Sequence, residues 1–189
     1  MMLLLQHVDR QVQDYFAPWL NAIAGSVPIP KDTVGIVEPR MARQHFLFHT
    51  AIDALCFCHL HPHLLARAGS NVFTVIGLRP TAGQLLELKH RYTNARTVGV
   101  FDDDLCGRVL DCKVALWQMG RDASFILDDG MVAFAYRGNT FRVPAPRFSL
   151  HRFRTLTGMR STYRTLKPRG FVSFIKMVVH HLNDPCHQT

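Results

Sequence analysis

The last third of the chain is almost without acid. Residues 131–189 carry 10 Lys/Arg and a single acid, Asp184, whereas residues 1–130 carry 12 Lys/Arg and 13 Asp/Glu. The formal excess of +8 therefore lies wholly in the C-terminal segment. This asymmetry points to a polyanionic partner, most simply nucleic acid, against the plainer alternative of a basic surface that only aids solubility. Long hydrophobic runs are scarce too. The opening Met1-Met2-Leu3-Leu4-Leu5 has no basic segment before it, and Gln6, His7, Asp9 and Arg10 interrupt it at once. No signal peptide and no membrane span are expected. The five cysteines are odd in number and lack the spacing of a disulfide framework, so reduced thiols and a cytoplasmic location are expected. There is no internal repeat, low-complexity tract, P-loop, dinucleotide fingerprint or Ser–His–Asp set.

What is present suits a folded domain, or one domain with an appendage. The chain has 189 residues, of which 48% are hydrophobic, enough for a sizeable core and unlike a disordered composition. Its most distinctive stretch is Val98-Gly99-Val100-Phe101-Asp102-Asp103-Asp104-Leu105-Cys106-Gly107-Arg108. An apolar run ends on three carboxylates that repel one another. They become favourable when a hard cation sits between them. Asp102 and Asp104 are two apart and can share one side of an extended strand end, with Asp103 pointing elsewhere or supporting them. The plainer alternative is a solvated turn that caps the next helix.

The flanking patterns alternate. Residues 7–24 carry Val8, Val12, Phe16 and Leu20 at helical spacing, with Pro18 as a kink or break. Residues 25–30 form a linker, and 33–38 a short strand or extended arm. Strands are expected at 45–48, 71–77, 97–101 and 123–127. Helices are expected over 50–66 (ended or bent at Pro62), after the cap Thr81, and over 105–119. Strands alternating with helices of this length imply right-handed crossovers and an α/β fold with a mostly parallel sheet. Ligands gather at the carboxyl ends of such strands, where both His49 and Asp102 fall. Past residue 130 the pattern becomes a hairpin (131–136 and 140–143, turning at Gly138-Asn139), then helices over 148–157 and 171–182 joined by a basic segment.

These residues carry a family resemblance. Phe46-Leu47-Phe48-His49-Thr50-Ala51-Ile52-Asp53-Ala54-Leu55 resembles the first motif of the Toprim domain, an apolar strand followed by Glu and then by Asp-Ala-Leu. Val98 to Arg108 resembles the second motif, an apolar strand followed by Phe-Asp-x-Asp-x-x-Gly-Arg, and Ile76-Gly77 resembles the glycine-bearing strand end between them. The similarity covers roughly residues 44–128 and is nearest in flavour to primase-like and mobilisation-associated Toprim proteins of bacterial mobile elements.

The resemblance implies a Toprim-like, mostly parallel four-stranded sheet flanked by helices over 44–128. An N-terminal helix and linker (1–43) and a small basic α+β appendage (129–189) accompany it. It implies that Asp102 and Asp104 bind Mg²⁺ or Mn²⁺. It places His49 where the family has its catalytic glutamate. Histidine carries protons near neutral pH but is a poor magnesium ligand, so phosphoryl-transfer catalysis of primase or nuclease type is expected to be weakened. Asp53 either assists the site or pairs with Arg108. Gly107 either permits close backbone approach or is a small packing residue.

Two further groups stand out. Cys56, Cys58, His59, His61 and His63 are zinc-ligand types, but their spacing fits no usual pattern, and helix core and surface account for most of them. Arg152, Arg154, Arg160, Arg164, Lys167 and Arg169 are candidates for nucleic-acid contact, with DNA the expected partner. The alternative function is a non-catalytic DNA-binding or protein-interaction module on the same scaffold. No zinc-ribbon pattern accompanies the motifs and the chain is too short for topoisomerase cleavage domains, so a protein partner is a candidate source of missing domains.

Overall fold

The structure, a computed structural model, describes residues 6–17, 20–21, 29–30, 38–66 and 69–183. Asp9 opens helix α1 (Arg10–Phe16) by accepting the Gln11 N–H at 2.7 Å, and the helix buries Val12 and Phe16. The helix expected over 7–24 is shorter than that. Leu20–Asn21 (β1) instead pairs antiparallel with Ile29–Pro30 (β2), consistent with the missing N–H that Pro18 brings to any continuing helix. The strand or arm expected at 33–38 lies outside the described residues except for Glu38.

The centre of the molecule is a four-stranded, all-parallel sheet. Its first strand, β3 (Gln44–Phe48), pairs on one side with β4 (Asn71–Val75) and on the other with β5 (Arg96–Gly99). Helices α2 (Ala51–Leu60), α3 (Ala82–Arg91) and α4 (Leu105–Trp117) follow these strands in turn. Thr50, Thr81 and Asp104 cap them through side-chain oxygens. Pro62 starts a separate short turn, Pro62–Leu64, so α2 stops at Leu60.

The β3 side chains alternate between two cores. Phe46 and Phe48 join one that includes α1, α2 and the last helix, α6 (Phe174–Asn183). Leu47 joins the other, which includes α4, the antiparallel hairpin and helix α5 (Leu150–Thr157). Burial on both faces is what parallel sheets require.

The fourth strand differs from expectation. Phe125–Asp128 (β6) is not in the parallel sheet. It pairs antiparallel with β7 (Met131–Tyr136), which pairs with β8 (Asn139–Pro144). The cause is local: Asp129 and Gly130 both have positive φ, at 45° and 70°, and a two-residue turn of this kind folds a strand straight back on its neighbour. The second turn uses Arg137 (φ 52°) and Gly138 (φ 79°), with Tyr136 opposite Asn139, one residue earlier than the Gly-Asn pattern suggested. The fourth parallel strand is β9 (Arg164–Thr165), inside the segment read from sequence as a basic link between helices.

No helix among the described residues is long and apolar enough to cross a membrane.

Candidate functional site

Adjacent strands β3 and β5 deliver the two motifs to the same end of the sheet. The Val100 N–H, one residue past β5, bonds Leu47 O at 2.9 Å. His49 and Phe101 then lie side by side, with ring centroids 4.7 Å apart. His49 and the acidic turn, 53 positions apart in sequence, therefore meet.

Three of the four acids have local work. Asp53 closes a capping box: its Oδ2 accepts from the Thr50 N–H at 3.1 Å and from Thr50 Oγ1 at 2.6 Å, while the Asp53 N–H donates to Thr50 Oγ1. Asp104 Oδ1 accepts the Gly107 N–H at 2.7 Å and so caps α4. Asp103 points away and pairs with Arg108 (Nε to Oδ1, 2.8 Å), which also reaches Asp103 O and Pro146 O. Of the two roles open to Asp53, pairing with Arg108 is thus taken by Asp103. Gly107 permits close approach: a Cβ there would stand 2.1 Å from Asp102 O.

The electrostatics tie the group together. The Asp102 carboxyl is raised above its ordinary value by burial first, then by the negative charges of Asp53 and Asp104, with Lys167 acting in the opposite direction. Burial pushes the His49 imidazole down from 6.5. Asp53 and Asp104 pull it up, and Lys167 adds to the lowering. Burial thus favours the neutral form of the His49 ring.

Beneath the turn lies a buried polar cluster that sequence reading missed. Lys167 Nζ donates to Phe101 O at 3.0 Å and to Asp102 O at 2.9 Å, and sits 2.7 Å from Asp111 Oδ2. Asp111 is 1% exposed, and its Oδ1 accepts the Tyr163 hydroxyl at 2.9 Å. Burial raises the Asp111 carboxyl to about 6, against the opposing influence of Lys167 and Tyr163. A signal existed: Asp111 shares the buried face of α4 with Gly107, Leu110 and Val114, at the i, i+3, i+4, i+7 spacing of a core stripe. A carboxylate in such a stripe needs a partner.

The six basic candidates do not form one patch. Lys167 turns inward as described. Arg154 is half-buried and donates to Ser161 O at 3.3 Å and Tyr163 O at 2.6 Å. Arg152, Arg160, Arg164 and Arg169 are exposed. In the Cys/His group, Cys56 and Cys58 are buried in the core of α2 and both thiols are raised by burial, Cys56 to about 12. His59 Nδ1 accepts the Asp9 N–H at 3.1 Å. The four described cysteines are free thiols.

Among the described residues no three His, Cys, Asp or Glu side chains stand close enough together to hold a metal ion. One oxygen each of Asp53 and Asp104 is engaged in capping, leaving Asp53 Oδ1, Asp104 Oδ2 and the Asp102 carboxylate. These are carboxylate oxygens, the donor type a hard cation takes.

No family model matches the chain, and neither any curated protein nor any solved structure matches it.

Proposed function

We propose that this chain is a Toprim-like, nucleic-acid-associated protein of the DNA replication or mobilisation type that holds Mg²⁺ or Mn²⁺ through Asp102 and Asp104. One observation carries the reading. At the carboxyl ends of two adjacent parallel strands, the partly buried Asp102 carboxyl feels the charges of Asp53 and Asp104, and the His49 ring packs on the neighbouring Phe101. Simple helix capping explains Asp53 and Asp104 but gives Asp102 no role.

A cation held there would supply charge neutralisation at a phosphate oxygen. The chain's own residues do the rest. Lys167 pins the turn through the carbonyls of Phe101 and Asp102, so the Asp102 carboxylate is presented from a fixed backbone. His49, whose neutral form burial favours, accepts a proton from an attacking hydroxyl or water. Exposed arginines of the basic C-terminal third contact the phosphate backbone. With histidine in the glutamate's place, phosphoryl transfer is weak. The reading places the protein in the cytoplasm, where its thiols stay reduced.

The second reading is a non-catalytic DNA-binding or interaction module. It is favoured by the capping roles of Asp53 and Asp104, which keep the turn folded with no cation. Nicking and primer-synthesis assays with Mg²⁺ or Mn²⁺, run on wild type and Asp102→Asn, separate the two. Weak activity that disappears in Asp102→Asn supports the enzyme. DNA binding with no activity in either supports the module.

A further inference from the structure

The opposite end of the same sheet carries a second feature. Arg43 immediately precedes β3, Arg96 opens β5 and Arg164 opens β9. Because β3, β5 and β9 are consecutive in the sheet, the three arginines emerge from neighbouring strands at their amino ends. They are staggered along the sheet: Arg43 lies one residue before the Gln44–Arg96 pair, and Arg164 stands opposite Val98. All three line one cavity of about 750 Å³, with Gln44, Asn94 and Thr162 as further polar lining.

Among the described residues no carboxylate lines this cavity. Among the described residues none of the three guanidinium groups has an ion pair or a side-chain hydrogen bond. Three unpartnered cations around one concavity repel one another. An anion with several oxygens relieves the repulsion, and planar guanidinium forks match phosphate oxygens two at a time. The track continues past Thr162, which also lines a smaller cavity of about 380 Å³ that includes Arg160. A ligand with linked phosphates could use both, whereas a single small anion would leave most of the charge unmatched.

We propose that the groove framed by Arg43, Arg96 and Arg164 is a binding site for a ligand with two or more linked phosphates. The site is separate from the acidic turn and does not depend on a metal there. Linked phosphates come either from a nucleic-acid strand or from a free nucleoside triphosphate.

The test is fluorescence anisotropy at low salt with two probes, a labelled single-stranded oligonucleotide and a labelled nucleoside triphosphate. The full chain is compared with Arg96→Gln, Arg96→Lys, the double variant Arg96→Gln/Arg164→Gln, and Arg79→Gln as an exposed control outside the groove. Binding of at least one probe should weaken about tenfold or more in the double variant, with an intermediate loss in Arg96→Lys, which keeps charge but not the fork. Arg79→Gln should bind as wild type. For the oligonucleotide, the slope of log K against log salt should fall by about one for each arginine removed. Loss for the oligonucleotide alone assigns a nucleic-acid strand, and loss for the triphosphate alone assigns a nucleotide. Asp102→Asn should leave this binding intact, which separates failure here from failure of the metal reading. Thermal unfolding checks the fold, and if the double variant unfolds, Arg96→Gln carries the test. Wild type that binds neither probe, or groove variants that bind both as wild type does, would overturn the proposal.

Discussion

The Tyr163 hydroxyl reaches Asp111 Oδ1 at 2.9 Å by passing over Gly99, where a Cβ would stand 1.7 Å from the hydroxyl oxygen. The contact joins the C-terminal third to the parallel sheet: Tyr163 immediately precedes β9, and β9 pairs with the strand that contains Gly99. Gly99→Ala should therefore be far worse than a small added methyl suggests. Overpacking costs about 1–3 kcal/mol, and the orphaned buried hydroxyl and carboxylate add a similar amount. Tyr163→Phe removes the hydroxyl and orphans only Asp111 Oδ1, so it should cost less than Gly99→Ala. Urea unfolding should rank wild type above Tyr163→Phe, and Tyr163→Phe above Gly99→Ala. A Gly99→Ala variant as stable as wild type would contradict the contact.

Asp111 makes stability depend on acid pH in a defined direction. Its folded pKa, about 6, lies above the ordinary value of 3.8. The folded state therefore holds the proton more tightly than the unfolded chain. The resulting contribution is full below about pH 4 and is lost as pH rises through 6. Its size is on the order of 1–3 kcal/mol. The stability difference between wild type and Asp111→Asn should change across pH 4–6 and flatten above pH 7. A flat difference across that window would show that Asp111 titrates normally.

Gly107→Ala should reverse the usual helix rule. Alanine normally stabilises a helix interior by about 0.5–1 kcal/mol over glycine. At Gly107 the methyl would meet the Asp102 carbonyl oxygen at 2.1 Å, so the turn must move and stability should fall. Gly83→Ala in α3 is the matched control. There the nearest atom is Thr81 Oγ1 at 4.0 Å, and the ordinary gain should appear. Thermal unfolding of the two variants should give shifts of opposite sign.

His49→Glu tests the histidine itself. A fourth carboxylate beside Asp53, Asp102 and Asp104 adds repulsion, so the variant should be less stable than wild type in a chelator. It also adds an oxygen donor, so Mg²⁺ should raise its melting temperature by more than it raises that of wild type. Equal Mg²⁺ effects in the two proteins would place the cation away from position 49.

Much of the parallel sheet was legible because β3, β4 and β5 are apolar runs followed by helix caps. That His49 would lie beside the acidic turn, where it packs on Phe101, followed from strand ends alone. The fourth strand was not legible. Arg164–Thr165 is two residues long and polar, with no hydrophobic run to mark it, and its place is set by Tyr163 and Lys167 reaching inward to Asp111. Phe125–Asp128 looked like its substitute until Asp129-Gly130 is read as a two-residue turn. Charge counting placed a basic surface in the C-terminal third but could not say which side chains face out. Lys167 and Arg154 turn inward, while Arg43 and Arg96, far earlier in the sequence, share a groove with Arg164.

The central claim is that Asp102 and Asp104 hold a divalent cation at the carboxyl end of the sheet. Anomalous diffraction from crystals soaked in Mn²⁺ tests it most directly. The account predicts one peak bonded to carboxylate oxygens of both residues, absent from Asp102→Asn crystals soaked in the same way. No peak at the turn, or a peak that persists in Asp102→Asn, would contradict it.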